Sequence, residues 1–345
     1  MKLKQFYICT VLVLLAALPL DVFAQGGESS YQFLNITPSS RVYALGGQNI
    51  SLVNEDITLV NQNPALLGKE MSLQLGLNYM HYLGGSNFMG ATFGIKAHER
   101  GAIAVGLQYF GYGEMTGTDA NGVVTGSFSP NDISFNVMYS HDITDRLRGG
   151  INLRVISSNY EQYSAIAMTT DIGLNYFNPD NNLSLSLVAK NLGGQLKKFN
   201  DANQNASMPW DIQLGWSQFL KNLPIRLSVT AFNLTRWKMP YYDKEDASSN
   251  SGNVVRKSNF ASNLFRHLAF GVEYSPSEKF YIALGYNYKT RSDMTTFSRN
   301  FLSGFSLGAG VNVKMIGIDA AIAQPHIGGL TLMFNLRCRI SDFLN

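Results

Sequence analysis

Gly304-Phe305-Ser306-Leu307-Gly308 spells G-x-S-x-G, the pattern of a nucleophile elbow, where a sharp strand-to-helix turn presents a serine hydroxyl to a histidine base. In this chain an alternation of large and small residues runs straight through the motif. Ser306 is therefore expected on the polar face of a strand, with no turn to activate it. Asp201-Ala202-Asn203-Gln204-Asn205 opens like a calcium loop, but Ala206 stands where the turn needs glycine and Ile212 where a bidentate glutamate belongs. The five histidines, His81, His98, His141, His267 and His326, show no metal-ligand spacing; only His267 reads as an inward-facing residue. The sequons at Asn35, Asn182, Asn205 and Asn233 are what an asparagine-rich chain yields by chance. These residues predict no enzyme, no catalytic group, no metal and no cofactor.

The strongest signal is a period of two. FYIALGYNYK, residues 280–289, alternates Phe280, Ile282, Leu284, Tyr286 and Tyr288 with Tyr281, Ala283, Gly285, Asn287 and Lys289. Successive side chains on a strand point to opposite faces, so one face here is bulky and apolar and the other small or polar. The same separation predicts strands at 71–80, 88–97, 101–110, 132–140, 147–156, 168–177 and 183–191, then at 210–219, 224–233, 267–275, 279–289, 301–314, 316–324 and 329–339. They are about ten residues long, the length a tilted strand needs to cross a bilayer. They number about fourteen, an even count as in bacterial single-chain barrels.

Composition and address agree. The 345 residues are 15% charged and 12% aromatic, with 32 glycines, a net charge of +3 and a mean hydropathy of -0.04. Few charges with many aromatics and glycines are unusual for a soluble chain of average hydropathy, and no basic stripe predicts a nucleic-acid partner. Residues 1–24 begin with Lys2 and Lys4, continue as an apolar run and end at Val22-Phe23-Ala24, the form of a secretory signal peptide cut between Ala24 and Gln25. Cys9 leaves with that segment and Cys338 stays alone, so no internal disulfide is expected. Beyond residue 25 no apolar stretch approaches the roughly 18 residues of a membrane helix.

The connections choose between a soluble sandwich and a membrane barrel. Between the predicted strands, every even-numbered connection is tight, the shortest being Met315, whereas the long ones, 111–131, 192–209 and 234–266, are all odd-numbered. Short turns on one side and long loops on the other characterise outer-membrane barrels, whose long side is extracellular. The expected fold is thus all-β, a transmembrane antiparallel barrel of about 14 strands over residues 71–345, with its apolar faces toward lipid and both termini periplasmic. Aromatic residues at strand ends (Tyr79, Tyr109, Tyr139, Tyr176, Trp210, Tyr274, Tyr288) fit the girdles of such barrels. The inward faces read as Ala, Gly, Ser, Asn and charges: Asp171, Asp211, Glu273 and Asp319, with Arg148, Arg154, Lys190, Arg226 and Arg337. Residues 25–70 mix turns with a short helix near 39–46 and form a candidate lumen plug, a flexible leader being the alternative.

That N-terminal stretch carries a family likeness. Ala44-Leu45-Gly46-Gly47, Glu55-Asp56 and Asn63-Pro64-Ala65-Leu66-Leu67 resemble the hatch of FadL-like outer-membrane proteins, with Leu66 in place of the glycine of an Asn-Pro-Ala-Gly-Leu box. The fuller string SSYQFLNITPSSRVYALGG resembles the PorQ/PorV family of FadL-type barrels in the type IX secretion system of Bacteroidota. Gly46, Gly47, Asp56, Asn63, Pro64 and Ala65 are the positions that match. The resemblance implies a non-catalytic component of the attachment complex that joins secreted cargo to lipopolysaccharide. Its implied partners are a PorZ-like surface protein, the PorU/PorV sortase machinery and outer-membrane lipid. The rival expectation is a FadL-like transporter of fatty acids or other hydrophobic compounds, which needs an apolar lumen pocket and a kinked strand opening to lipid.

The longest loop is the candidate dock for a partner. Trp237, Tyr241, Tyr242, Phe260 and Phe265 flank a charged, Ser/Asn-rich middle. Aromatic anchors with a polar rim are the composition of a binding patch.

Overall fold

A computed structural model describes residues 30–95, 98–199, 207–237, 260–294, 302–326 and 329–343. The expected signal peptide with its Ala24–Gln25 cut, the calcium-like stretch 201–206, and Tyr241 and Tyr242 lie outside these residues.

The alternating segments become β1 (Gln74–His81), β2 (Asn87–Gly94), β3 (Gly101–Gly111), β4 (Met115–Thr118), β5 (Val124–Phe128), β6 (Asn131–Asp142), β7 (Leu147–Tyr160) and β8 (Tyr163–Asn178). They continue as β9 (Leu183–Lys197), β10 (Asp211–Phe219), β11 (Ile225–Ala231), β12 (Leu268–Ser277), β13 (Phe280–Asn287), β14 (Phe305–Val313), β15 (Ile316–His326) and β16 (Gly329–Arg339). All except β4 and β5, a separate hairpin, join in one closed antiparallel barrel of fourteen strands, with β16 returning to β1. Closure leaves no edge, as a sheet in hydrocarbon requires.

Burial fixes which way the faces point. On β6, Ile133, Phe135, Val137 and Tyr139 are 37–51% exposed while Ser134, Asn136, Met138 and Ser140 are 2% exposed or less. The same sense holds on β16, where Leu330, Leu332, Phe334 and Leu336 are exposed and Thr331, Met333, Asn335 and Arg337 are buried. A soluble sandwich would bury the apolar set. Here it faces outward around the ring, and polar residues are sealed inside.

The long connections fall at one end of the barrel, as the sequence predicts: 112–130, 198–210 and 232–267 lie there, while 143–146, 179–182 and 314–315 lie at the other. Three details differ from expectation. β7, β8 and β9 overrun their predicted ends, and the expected connection at 157–167 is only Glu161-Gln162 within a continuous ladder that pairs Tyr160 with Tyr163. Glu161 takes φ 52°, a left-handed turn position that Asn or Gly would have signalled. The alternation of FYIALGYNYK stops at Asn287, whose side chain accepts from the Thr290 N–H and caps a helix, Tyr288–Asp293. Tyr288 and Lys289 are therefore helical. β14 also starts at Phe305 instead of 301, after a turn through Gly304 at φ 82°.

Before β1 the chain folds into short pieces inside the ring. A helix, Ser40–Ala44, is capped by Ser39, and 3-10 turns Ile57–Asn61 and Pro64–Leu66 are capped by Asp56 and Asn63. Val42, Ile50, Leu52, Ile57, Leu59 and Val60 are fully buried. Such irregular backbone is tolerated at membrane depth only where protein surrounds it.

The outward sense of β6 is open to test. Phe135→Arg places a charge near mid-strand on the lipid face and should destabilise the barrel by about 2–4 kcal/mol, whereas Phe135→Leu should change little. A heat-modifiability gel of membrane fractions reads this as loss of the folded band in the arginine variant alone.

Candidate functional site

Among the described residues, a dense set of buried polar contacts joins the N-terminal segment to the inward faces of the strands. Arg41 leaves the Ser40–Ala44 helix and donates through Nε and Nη2 to the two oxygens of Glu273 on β12, both at 2.7 Å. Both side chains are buried, and the guanidinium also lies 4.1 Å over the Tyr281 ring. Burial alone would lower the pKa of Arg41, but the Glu273 carboxylate more than offsets this and holds it above the ordinary value. The helix start is gripped by Asn335, which accepts from the Ser40 N–H at 2.7 Å and donates to the Pro38 carbonyl at 2.9 Å. Tyr43 meets Thr331 through their hydroxyls.

Ser306, the serine of G-x-S-x-G, does structural work here. Its hydroxyl donates to the Ala44 carbonyl at 2.8 Å and accepts from the Gly46 N–H at 3.0 Å. Gly46 and Gly47 both have positive φ, 91° and 76°, which glycine adopts without penalty, and Asn287 closes the turn by donating to the Gly46 carbonyl at 3.0 Å. The turn presses on the wall so closely that a Cβ on Gly308 would lie 2.6 Å from Cβ of Ala44, and one on Gly285 would overlap the backbone at Leu45 and Gly46.

The acidic residue and the Asn-Pro-Ala box pin the other half of the segment. Asp56 accepts from the Thr58 N–H and hydroxyl at 2.9 and 2.7 Å and lies 3.6 Å from Arg337, which also holds Asp319 at 2.9 Å. Asn63 donates to the Ile50 carbonyl and accepts from the Ala65 N–H, both at 2.9 Å, while Asn63 and Pro64 fill the space over Gly173 and Gly150. Gln62 accepts from Lys190 at 2.7 Å. Leu66, in the position of the box glycine, is buried in the core.

Every charged residue expected to face inward does so; Arg154 pairs with Asp171 at 3.1 Å, and Arg148 with Asp142 at 2.6 Å. His267 is buried, its ring nitrogens facing the carbonyls of Phe232 and Trp237 at 2.9 and 3.1 Å. Not signalled by the sequence is an apolar, aromatic cluster under the long-loop end, where Phe33, Leu34 and Tyr43 pack with Met80, Phe88 and Phe110. Those strand residues share the inward face with small and polar neighbours, so the alternation alone gave no signal for them. Among the described residues, no group of three or more His, Cys, Asp or Glu is placed to hold a metal ion.

The described aromatics of the candidate docking loop separate into two places. Trp237 stacks on His267 with ring centroids 4.8 Å apart, and Phe260, 67% exposed, lies 5.8 Å from Trp237. Phe265 instead approaches Phe270 and Tyr288, at 6.4 and 6.1 Å. Phe270 is on the outward face of β12, so Phe265 joins the apolar rim.

No family model matches the sequence, and no curated protein does. Solved structures do. The toluene transporter TodX of Pseudomonas putida is similar at 13% identity and a TM-score of 0.52, over 87% of this chain and 96% of that one. The monoaromatic hydrocarbon channel CymD is similar at 11% identity and a TM-score of 0.50, over 88% and 97%. The likeness extends over nearly the whole of each chain and shows the fold, a closed antiparallel transmembrane barrel of the kind these two proteins have.

Arg41→Ala would leave Glu273 buried without its bidentate partner, a change worth about 3–5 kcal/mol in buried pairs. The expected result is protease cleavage within residues 31–71 of the detergent-solubilised barrel, where wild type resists. Adding Glu273→Gln should restore part of that resistance, since the two side chains act as one unit.

Proposed function

We propose that this chain is a non-catalytic outer-membrane barrel of the type IX secretion attachment complex, similar to PorQ, whose long loops hold a PorZ-like surface protein for the PorU/PorV sortase machinery. The observation that carries this reading is the pinned N-terminal segment. Arg41, Asp56, Gln62 and Asn63 tie it into the lumen, and wall glycines receive its backbone. A lumen so firmly occupied suits a fixed plug in an anchor better than a passage. The secretion role rests on the hatch residues and on the resemblance of SSYQFLNITPSSRVYALGG, with no matching family model behind it. The exposed pair Trp237 and Phe260 supplies an aromatic anchor at the loop end.

The solved structures favour a second function, passage of a hydrophobic compound, because TodX is a toluene transporter and CymD a monoaromatic hydrocarbon channel. Two features suit it. One is the aromatic cluster, beside which Tyr43, Tyr82 and Phe305 line a cavity of about 200 Å³. The other is a bulge in β9, where Lys190 and Asn191 stand opposite Asp171 alone. A sideways path there would have to part Arg154 from Asp171 and Lys190 from Gln62.

Shortening the loop between Asp243 and Arg256 separates the two functions. An anchor should stay folded and inserted while its surface partner appears in the culture medium. Retention of the partner at wild-type level would remove the loop as the dock, and a defect in hydrophobic-compound uptake would favour the channel.

A further inference from the structure

The short-turn end of the barrel holds a feature that neither function uses. The turns at 220–224, 276–279 and 314–315 surround a cavity of about 890 Å³, within the size range of small-ligand sites. Arg41 and Arg337 lie on its inner wall but are committed, to Glu273 at 2.7 Å and to Asp319 at 2.9 Å. Arg226 is not committed in the same way. It shares Glu273 with Arg41 through Nη1, in an ion pair of 3.4 Å that makes no hydrogen bond. Its guanidinium sits 5.6 Å over the ring of Phe219.

The rim adds charge of the same sign. Lys221, Lys279 and Lys314 line the cavity, all exposed, and among the described residues none makes an ion pair. Of the two carboxylates in the lining, Glu55 is held by Arg339 at 2.7 Å, leaving Glu278 alone against the three lysines. Lys314 is also out of place as a turn residue. It takes φ 50° in the two-residue link between β14 and β15, where Asn or Gly would be preferred. Phe219, Leu223, Pro224 and Ile316 contribute apolar lining beside these charges, which suits an organic ligand better than a bare ion.

We propose that this cavity binds a small organic anion carrying more than one carboxylate or phosphate, entering from the short-turn side. The site is independent of the anchor function, since it involves none of the long loops.

Isothermal titration of the full-length barrel in neutral detergent, at low salt, tests this with citrate and pyrophosphate as probes. A hexaglutamate peptide serves as the third arm. Binding of citrate or pyrophosphate is expected, about tenfold weaker in Lys221→Gln/Lys279→Gln/Lys314→Asn, and the tighter of the two assigns carboxylate or phosphate. Heat-modifiability checks that the variant is folded, and Lys221→Gln/Lys279→Gln replaces it should the triple change fail that check. Absence of binding by both small probes, or affinity unchanged in a folded variant, overturns the proposal. Binding of hexaglutamate alone overturns it too, in favour of an acidic protein segment.

Discussion

Hydrocarbon offers no hydrogen-bond partner to a peptide group, and everything else in this molecule follows from that constraint. A sheet in such a medium has to close, and this one does so by returning β16 to β1. Closure creates a lumen, and the lumen here holds irregular backbone that carries the same obligation as the sheet. The inward faces meet it. Asn335 and Ser306 complete the backbone hydrogen bonding of a five-residue helix too short to satisfy its own ends. Glu273 neutralises the one guanidinium that this helix carries inward.

The same constraint explains what the sequence could and could not reveal. Lipid on one side and a polar interior on the other impose a strict period of two, so the fourteen barrel strands, their faces and the inward charges were all readable from residue types. Local exceptions escaped because their signals were chemically weak. Glu161 turns the chain without the Asn or Gly that announces a hairpin, and Asn287 ends a strand by capping a helix in the midst of an unbroken alternation. The pairing of Arg41 with Glu273 joins residues 232 positions apart, and no local pattern encodes such a partner. Glu273 was legible as an inward charge from its strand face, whereas nothing local marked Arg41 as its partner.

Two residues that the sequence offers for chemistry serve as fastenings. Ser306 is a clasp on the Ala44–Gly46 turn, and His267 bridges two carbonyls at the loop end. The two ends of the barrel nonetheless differ in character. Under the long loops the interior is aromatic and closely packed, whereas the short turns open onto a cavity lined by lysine and arginine. Among the described residues the interior is thus apolar toward one end and basic toward the other.

The Ser40–Asn335 hydrogen bond spans 295 residues, and it sits beside the seam where the last strand meets the first. Contacts of such separation carry a large loop-closure cost in entropy. The segment inside the lumen precedes β1 in sequence, yet its grips on Ser306, Thr331 and Asn335 belong to β14 and β16. The residues that close the ring and those that hold its contents are therefore shared: β16 pairs with β1 through one set of groups and grips the lumen segment through Thr331 and Asn335.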